Sequence, residues 1–201
     1  MAGDIDFYFD FSSPYGYFGA ERIDALAAKF DRRVNWRPVL LGAIFKTTGC
    51  QPLPLIPIKG QYAVHDMQRT ARLHGIPFTF PQKFPISSQL AARAVLWTGT
   101  THGQAKAGEL ARALYRVYFV DGRDITDAAT VADVAGALDI DTAAVADAVV
   151  SEPVKEQLRA EVEAAMKRGV FGSPFMIVDG EPFWGFDRFE QLEAWLKAGG
   201  F

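Results

Sequence analysis

The strongest constraint on this fold is a short alternating segment near the start that runs directly into a helix signal. From Asp4 to Phe11, the apolar residues Ile5, Phe7, Phe9 and Phe11 alternate with Asp4, Asp6, Tyr8 and Asp10. A strand sends successive side chains to opposite faces, so this period of two predicts β structure. Ser12-Ser13-Pro14 follows at once. A serine side chain can accept from the free N–H groups of a helix start, and proline suits the first helical position. A helix is therefore expected to about residue 30, with Phe18, Ile23, Leu26, Ala27 and Phe30 on its packing face. A second strand is expected over about residues 34–41. Strand, helix and strand in that order form a right-handed crossover with parallel strands, half of a small α/β domain.

The pattern then changes. Residues 42–59 read as a proline-rich loop around Gln51-Pro52-Leu53-Pro54-Leu55-Ile56-Pro57, with one short helical turn at Ala43 to Thr47. Helices are expected over residues 60–75, 87–99, 103–120, 127–137, 142–149 and 152–168. β character returns with Phe175-Met176-Ile177-Val178, a turn at Asp179-Gly180, and Glu181-Pro182-Phe183-Trp184 as an edge strand. A last helix is expected from Asp187, as its cap, to about Ala198. The expected organisation is an α/β domain made of residues 1–50 and 151–201, enclosing a helical domain over residues 51–150.

Composition narrows the function. A net charge of −3 and the lack of a Lys/Arg run argue against a nucleic-acid partner. No apolar run reaches the ~18 residues of a membrane span, and Met1-Ala2-Gly3-Asp4 lacks the basic and apolar stretches of a secretory signal. The single cysteine, Cys50, excludes an internal disulfide and a Cys-x-x-Cys pair. A cytoplasmic setting without a metal site is expected.

Three segments carry candidate chemistry. At Ser13-Pro14, free N–H groups at a helix start would stabilise negative charge, and the Ser13 hydroxyl can donate to a thiolate brought by a cofactor. The plainer reading is that Ser13 only caps the helix. His65, His74 and His102 all fall in the helical block without triad context, which argues against a serine hydrolase. At Ser173-Pro174, a cis bond is accessible to proline; the Ser173 N–H and C=O would then face an extended peptide, such as glutathione, as an added strand does. The alternative is an ordinary turn into the strand. At Trp184-Gly185-Phe186-Asp187-Arg188, free N–H groups would hold a carboxylate while Asp187 meets an ammonium, the two charges of a γ-glutamyl group; otherwise Asp187 is simply a cap. Lys46 and Lys59 flank the proline-rich loop, where lysines are usually solvated but can hold ligand carboxylates.

Taken together, Asp6-Phe7-Tyr8-Phe9-Asp10-Phe11-Ser12-Ser13-Pro14-Tyr15, Gly172-Ser173-Pro174-Phe175 and Phe183-Trp184-Gly185-Phe186-Asp187-Arg188 resemble the 2-hydroxychromene-2-carboxylate isomerase family. That family is related to kappa-class glutathione transferases and to DsbA-type oxidoreductases. The resemblance implies a thioredoxin-like fold interrupted by helices, glutathione as cofactor, a small aromatic carboxylate as substrate, and a homodimer. It implies that Ser13 contacts the glutathione sulfur, that Ser173 precedes a cis Pro174, and that Trp184, Gly185, Phe186 and Asp187 bind the glutamyl end. Lys59 is similar to a lysine near the glycine end, and Lys46 to one that holds the substrate carboxylate. The implied reaction is reversible thiolate addition, which lowers a double bond's order so that it can rotate. Cys50, Phe186 and Gly16 depart from the residues common at those family positions, which leaves the substrate open. The resemblance also covers Phe84-Pro85-Ile86-Ser87-Ser88 through Arg93, where Arg93 serves either packing or substrate binding. A kappa-like transferase and a thioredoxin-like binding module without turnover remain alternatives.

Overall fold

Four strands form one mixed sheet in the order β2-β1-β3-β4 in the computed structural model, which describes residues 3–201. Met1 and Ala2, read above as the start of the chain, lie outside the described residues. β1 (Ile5–Phe9) pairs in parallel with β2 (Val34–Pro38), with Phe7 opposite Trp36. On its other side β1 pairs antiparallel with β3 (Phe175–Val178), and β3 with β4 (Glu181–Trp184). Asp179 and Gly180, with φ of 51° and 89°, make the turn between β3 and β4. Positive φ at both central residues matches the right-handed twist of the strands they join. Pro182 is tolerated because β4 is an edge.

The two faces of the sheet are both covered. Phe7, Phe9, Trp36 and Met176 share one core cluster with Tyr17 and Phe18 of α1 (Pro14–Ala20) and with Tyr115 and Phe119 of α6 (Gln104–Phe119). Tyr8, Phe175 and Ile177 point the other way, against Leu158 and Val162 of α9 (Glu152–Lys167). Burying each of these side chains contributes about 1.5–3 kcal/mol. On the α9 side, Asp6 accepts from Asn35, Arg37 and Arg168, while Arg37 also pairs with Glu161 at 3.0 Å.

The expected crossover is present but its helix is split into α1 and α2 (Ile23–Ala28). A Cβ at Gly19 would stand 3.1 Å from Pro174, so glycine here serves close packing rather than helix continuity. The single turn expected near Ala43 is a full helix, α3 (Leu41–Thr48). α4 (Lys59–His74), α5 (Gln89–His102), α6, α7 (Ala128–Gly136), α8 (Thr142–Val150) and α9 follow, close to the expected limits, and fill the space between β2 and β3 in sequence. Asp127 and Asp141 cap α7 and α8. The last helix, α10 (Phe189–Ala198), starts two residues later than expected, because a 3₁₀ turn at Phe186–Arg188 precedes it. Asp187 is therefore not its cap. Among the described residues no helix is long and apolar enough to cross a membrane.

Candidate functional site

Ser13 sits at the corner between β1 and α1 in extended conformation, and its Oγ accepts from the Gly16 N–H at 3.0 Å. The same Oγ donates to the Ser173 carbonyl at 2.8 Å. The Ser173–Pro174 bond is cis, as the sequence allowed. A second cis bond, Phe84–Pro85, gave no comparable signal in the sequence. Ser173 Oγ accepts from the Asp10 N–H at 3.0 Å, so the β1 end and the cis-proline loop are tied twice within a few residues.

The third segment joins the same corner through the backbone, where the Gly185 N–H donates to the Pro174 carbonyl at 3.0 Å. Gly185 has a φ of 109°, which favours glycine. The Trp184 indole lies flush on Gly172, where an added Cβ would meet Nε1 at 2.2 Å, and it packs edge-on against Phe171 at 4.8 Å. Trp184 is half-exposed. Phe186 turns inward, packing on Phe18, His74 and Phe189. Asp187 is exposed and pairs with Arg188 at 3.1 Å.

Ser13, Ser173, Pro174 and the Trp184–Asp187 segment are thus brought together. The lysines are not bonded to them. Lys46 is exposed in the last turn of α3. The Leu41 N–H at the start of that helix donates to Asp10, which puts Lys46 roughly 7 Å further along the helix axis. Lys59 is the first residue of α4 and is exposed. It shares a face of that helix with Tyr62 and Asp66, and Asp66 accepts from the Tyr15 hydroxyl at 2.5 Å, one residue beyond Pro14. A cation at a helix N-terminus gains nothing from the helix dipole, and the two positive ends together favour an anion. Just before Lys59, Ile58 holds a φ of 66° while the Lys59 N–H donates to the Pro57 carbonyl at 2.7 Å. This is a tight γ-turn that a β-branched residue adopts only under strain. Arg93 donates to the Val149 carbonyl at 3.1 Å near the end of α8, a packing role.

Several residues beneath the corner escaped the sequence reading. Asp10 is buried and accepts from the N–H groups of Ser12 at 2.7 Å and Leu41 at 2.6 Å. Burial pushes its carboxyl up, against the pull of these bonds and of the Ser12 and Ser88 hydroxyls. Ser12 Oγ donates to the Ile86 carbonyl at 2.8 Å, which docks the segment before α5 onto the corner. Tyr115, fully buried on α6, donates to the Asp10 carbonyl at 2.9 Å. The spacing Asp-x-Ser was a visible turn signal at Asp10 and Ser12. Nothing local marked Tyr115.

The corner can hold an anionic sulfur. It presents a hydroxyl, the start of a helix and a peptide-pairing edge, with an exposed carboxylate a few residues away, and no sulfur of its own. This donor set suits glutathione, which carries a thiol, a peptide backbone and a γ-glutamyl ammonium.

A family model described as a DSBA-like thioredoxin domain matches residues 4–197. The chain is similar to a 2-hydroxychromene-2-carboxylate isomerase of Sphingobium xenophagum, 29% identical over 98% of this chain and 99% of that protein. It is also similar to glutathione S-transferase kappa 2 of Caenorhabditis elegans, 29% identical over 96% of this chain and 91% of that protein. Among solved structures, a selenomethionine 2-hydroxychromene-2-carboxylate isomerase superposes with a TM-score of 0.87 at 27% identity, covering 96% of this chain and 94% of that one.

Proposed function

This chain belongs to the DSBA-like thioredoxin domain family, and on that premise we propose that it is a glutathione-dependent isomerase of 2-hydroxychromene-2-carboxylate-type substrates, acting in the cytoplasm in the breakdown of aromatic compounds. The observation that carries the reading is the Ser13 hydroxyl, held at a helix start and 2.8 Å from the carbonyl that precedes Pro174. Similarity to isomerases over nearly the whole chain supports it.

Glutathione, when bound, supplies a thiolate able to add to a conjugated carbonyl system and leave again. The chain's own residues prepare for it. The Ser13 hydroxyl turns from the Ser173 carbonyl to donate to the sulfur while still accepting from the Gly16 N–H, and the positive end of α1 adds favourable potential. A free thiol with a pKa near ~8.5 is mostly protonated at neutral pH, and this environment lowers that value. Ser173 pairs with the tripeptide backbone beside Pro174. Trp184, Gly185 and the backbone of Phe186 flank the glutamyl end, whose ammonium faces Asp187. Lys59 holds the glycine carboxylate. Lys46 holds the carboxylate of the aromatic substrate and favours negative charge that develops on it. Ser13 forms no covalent bond.

Calorimetric titration with glutathione, followed by assay on 2-hydroxychromene-2-carboxylate, tests the reading. Binding and glutathione-dependent isomerisation are expected, and a lack of binding would sink the proposal. A second reading, a kappa-like transferase, is supported by similarity to kappa-class enzymes. Turnover of a chlorodinitrobenzene-type electrophile without chromene isomerisation would favour it.

A further inference from the structure

Tyr115 lies outside every segment that suggested chemistry in the sequence, yet its hydroxyl reaches the centre of the corner. Its ring is fully buried among Phe9, Phe11, Tyr17 and Phe119. A hydroxyl in such surroundings is costly unless it is paired. It donates to the Asp10 carbonyl at 2.9 Å, and the Ser173 hydroxyl lies beside it, both crowding the point where a Cβ on Gly16 would stand. The Ser173 hydroxyl accepts in turn from the Asp10 N–H. The Asp10 peptide thus links Tyr115 Oη, through its carbonyl, to Ser173 Oγ, through its N–H, in one buried polar circuit.

The same groups fix Ser13. Its N–H donates to the Asp10 carbonyl at 2.8 Å, and its Oγ donates to the Ser173 carbonyl. The Tyr115 hydroxyl therefore stands directly behind both acceptors that set the Ser13 position. Gly16 records how tightly this is filled. A Cβ there would lie 2.6 Å from Ser173 Oγ, 2.7 Å from Tyr115 Oη and 3.1 Å from Ser13 Cβ. The tyrosine and serine hydroxyls occupy the space that a side chain three residues after Ser13 would need.

We propose that Tyr115 is a positioning residue for the thiolate site, acting through Asp10 and Ser173 to hold the Ser13 hydroxyl and the cis-proline carbonyl in place for the ligand's sulfur. This rests on the glutathione reading above. With the circuit opened, Ser13 and Ser173 sample more positions, and the donor aimed at the sulfur loses its fixed direction. Preorganised donors stabilise charge best when they need not move to meet it.

The test is the ionisation of the bound thiol, followed by the ultraviolet absorbance of the thiolate as pH is varied. Tyr115→Phe keeps the buried ring and removes only the hydroxyl. It is expected to raise the apparent pKa of bound glutathione so that the thiolate fraction below that pKa falls about tenfold. Affinity measured well below both pKa values, where the neutral thiol binds, is expected to change less than about threefold, whereas well above them it is expected to fall about tenfold. Ser173→Ala opens the circuit from the other side and is expected to shift the titration the same way, which keeps the test open if Tyr115→Phe fails to fold. Tyr17→Phe is the control, because Tyr17 sits in the same aromatic cluster but donates to the Pro77 carbonyl at 2.9 Å. It is expected to lower stability without moving the titration. A Tyr115→Phe titration identical to the wild type, or an equal shift in Tyr17→Phe, overturns the inference while the glutathione reading stands. A wild-type protein that binds no glutathione overturns both.

Discussion

The hydroxyl of Ser13 donates to the carbonyl of Ser173 across 2.8 Å, joining the first helix start to a loop 160 residues away in sequence. The same oxygen accepts from the Gly16 N–H, so one side chain both caps α1 and ties down the cis-proline loop. In the proposed reaction the cap is retained and the donated proton changes partner. This separates the structural and chemical roles of Ser13 by experiment.

Ser13→Ala removes the cap and the tie together. Loss of a serine cap costs about 1 kcal/mol, so a modest fall in the urea midpoint is expected, with the fold kept. Glutathione-dependent turnover is expected to fall by roughly two orders of magnitude, the usual cost of deleting one donor to a developing anion. Unchanged turnover with a lowered midpoint would leave Ser13 as a cap alone.

Gly16→Ala sets two effects against each other. Alanine gains about 1 kcal/mol over glycine within a helix. The added Cβ would meet Ser173 Oγ at 2.6 Å and Tyr115 Oη at 2.7 Å, both held in a buried network. Overpacking of this kind costs about 1–3 kcal/mol, so net destabilisation is expected in urea unfolding. A more stable variant would show that the corner is looser than described.

Asp187→Ala tests the glutamyl end. Asp187 is exposed and caps no helix, so a stability change within about 0.5 kcal/mol is expected. Its proposed ammonium partner predicts roughly tenfold weaker glutathione binding by calorimetry, equivalent to about 1.4 kcal/mol. An unaltered dissociation constant would remove Asp187 from the site.

Much of this architecture is legible in the chain because local chemistry and long-range packing agree. The Asp4–Phe11 alternation and the Ser-Pro start specify β1 and α1, and Asp179-Gly180 specifies the hairpin. Where packing overrides local preference, reading fails. Gly16 and Gly19 answer to Tyr115, Ser173 and Pro174, residues far off in sequence, and the expected long helix breaks into two. Alternation also marks Tyr8 and Asp10 as the polar face of β1, yet helices cover both faces and bury the two residues. The three candidate segments met because each is a turn at one end of the sheet. Tyr115 could not be foreseen, since its role depends on where α6 crosses β1.

Asp6 provides a pH test of the sheet's other face. Burial pushes its carboxyl up, but hydrogen bonds from Arg37, Arg168 and Asn35 and the nearby Arg37 charge outweigh it, leaving the pKa below the ordinary 3.8. A carboxyl depressed on folding stabilises the native state above its unfolded value, and that contribution is lost as pH falls through the folded value. Asp6→Asn removes the charge that Arg37 and Arg168 share, at an expected cost of roughly 2 kcal/mol near neutral pH. Urea unfolding of both proteins from neutral to acid pH should therefore show a gap that is constant above the carboxylate range and closes below 3.8. A gap that persists undiminished in strong acid would mean that the network acts through packing rather than charge.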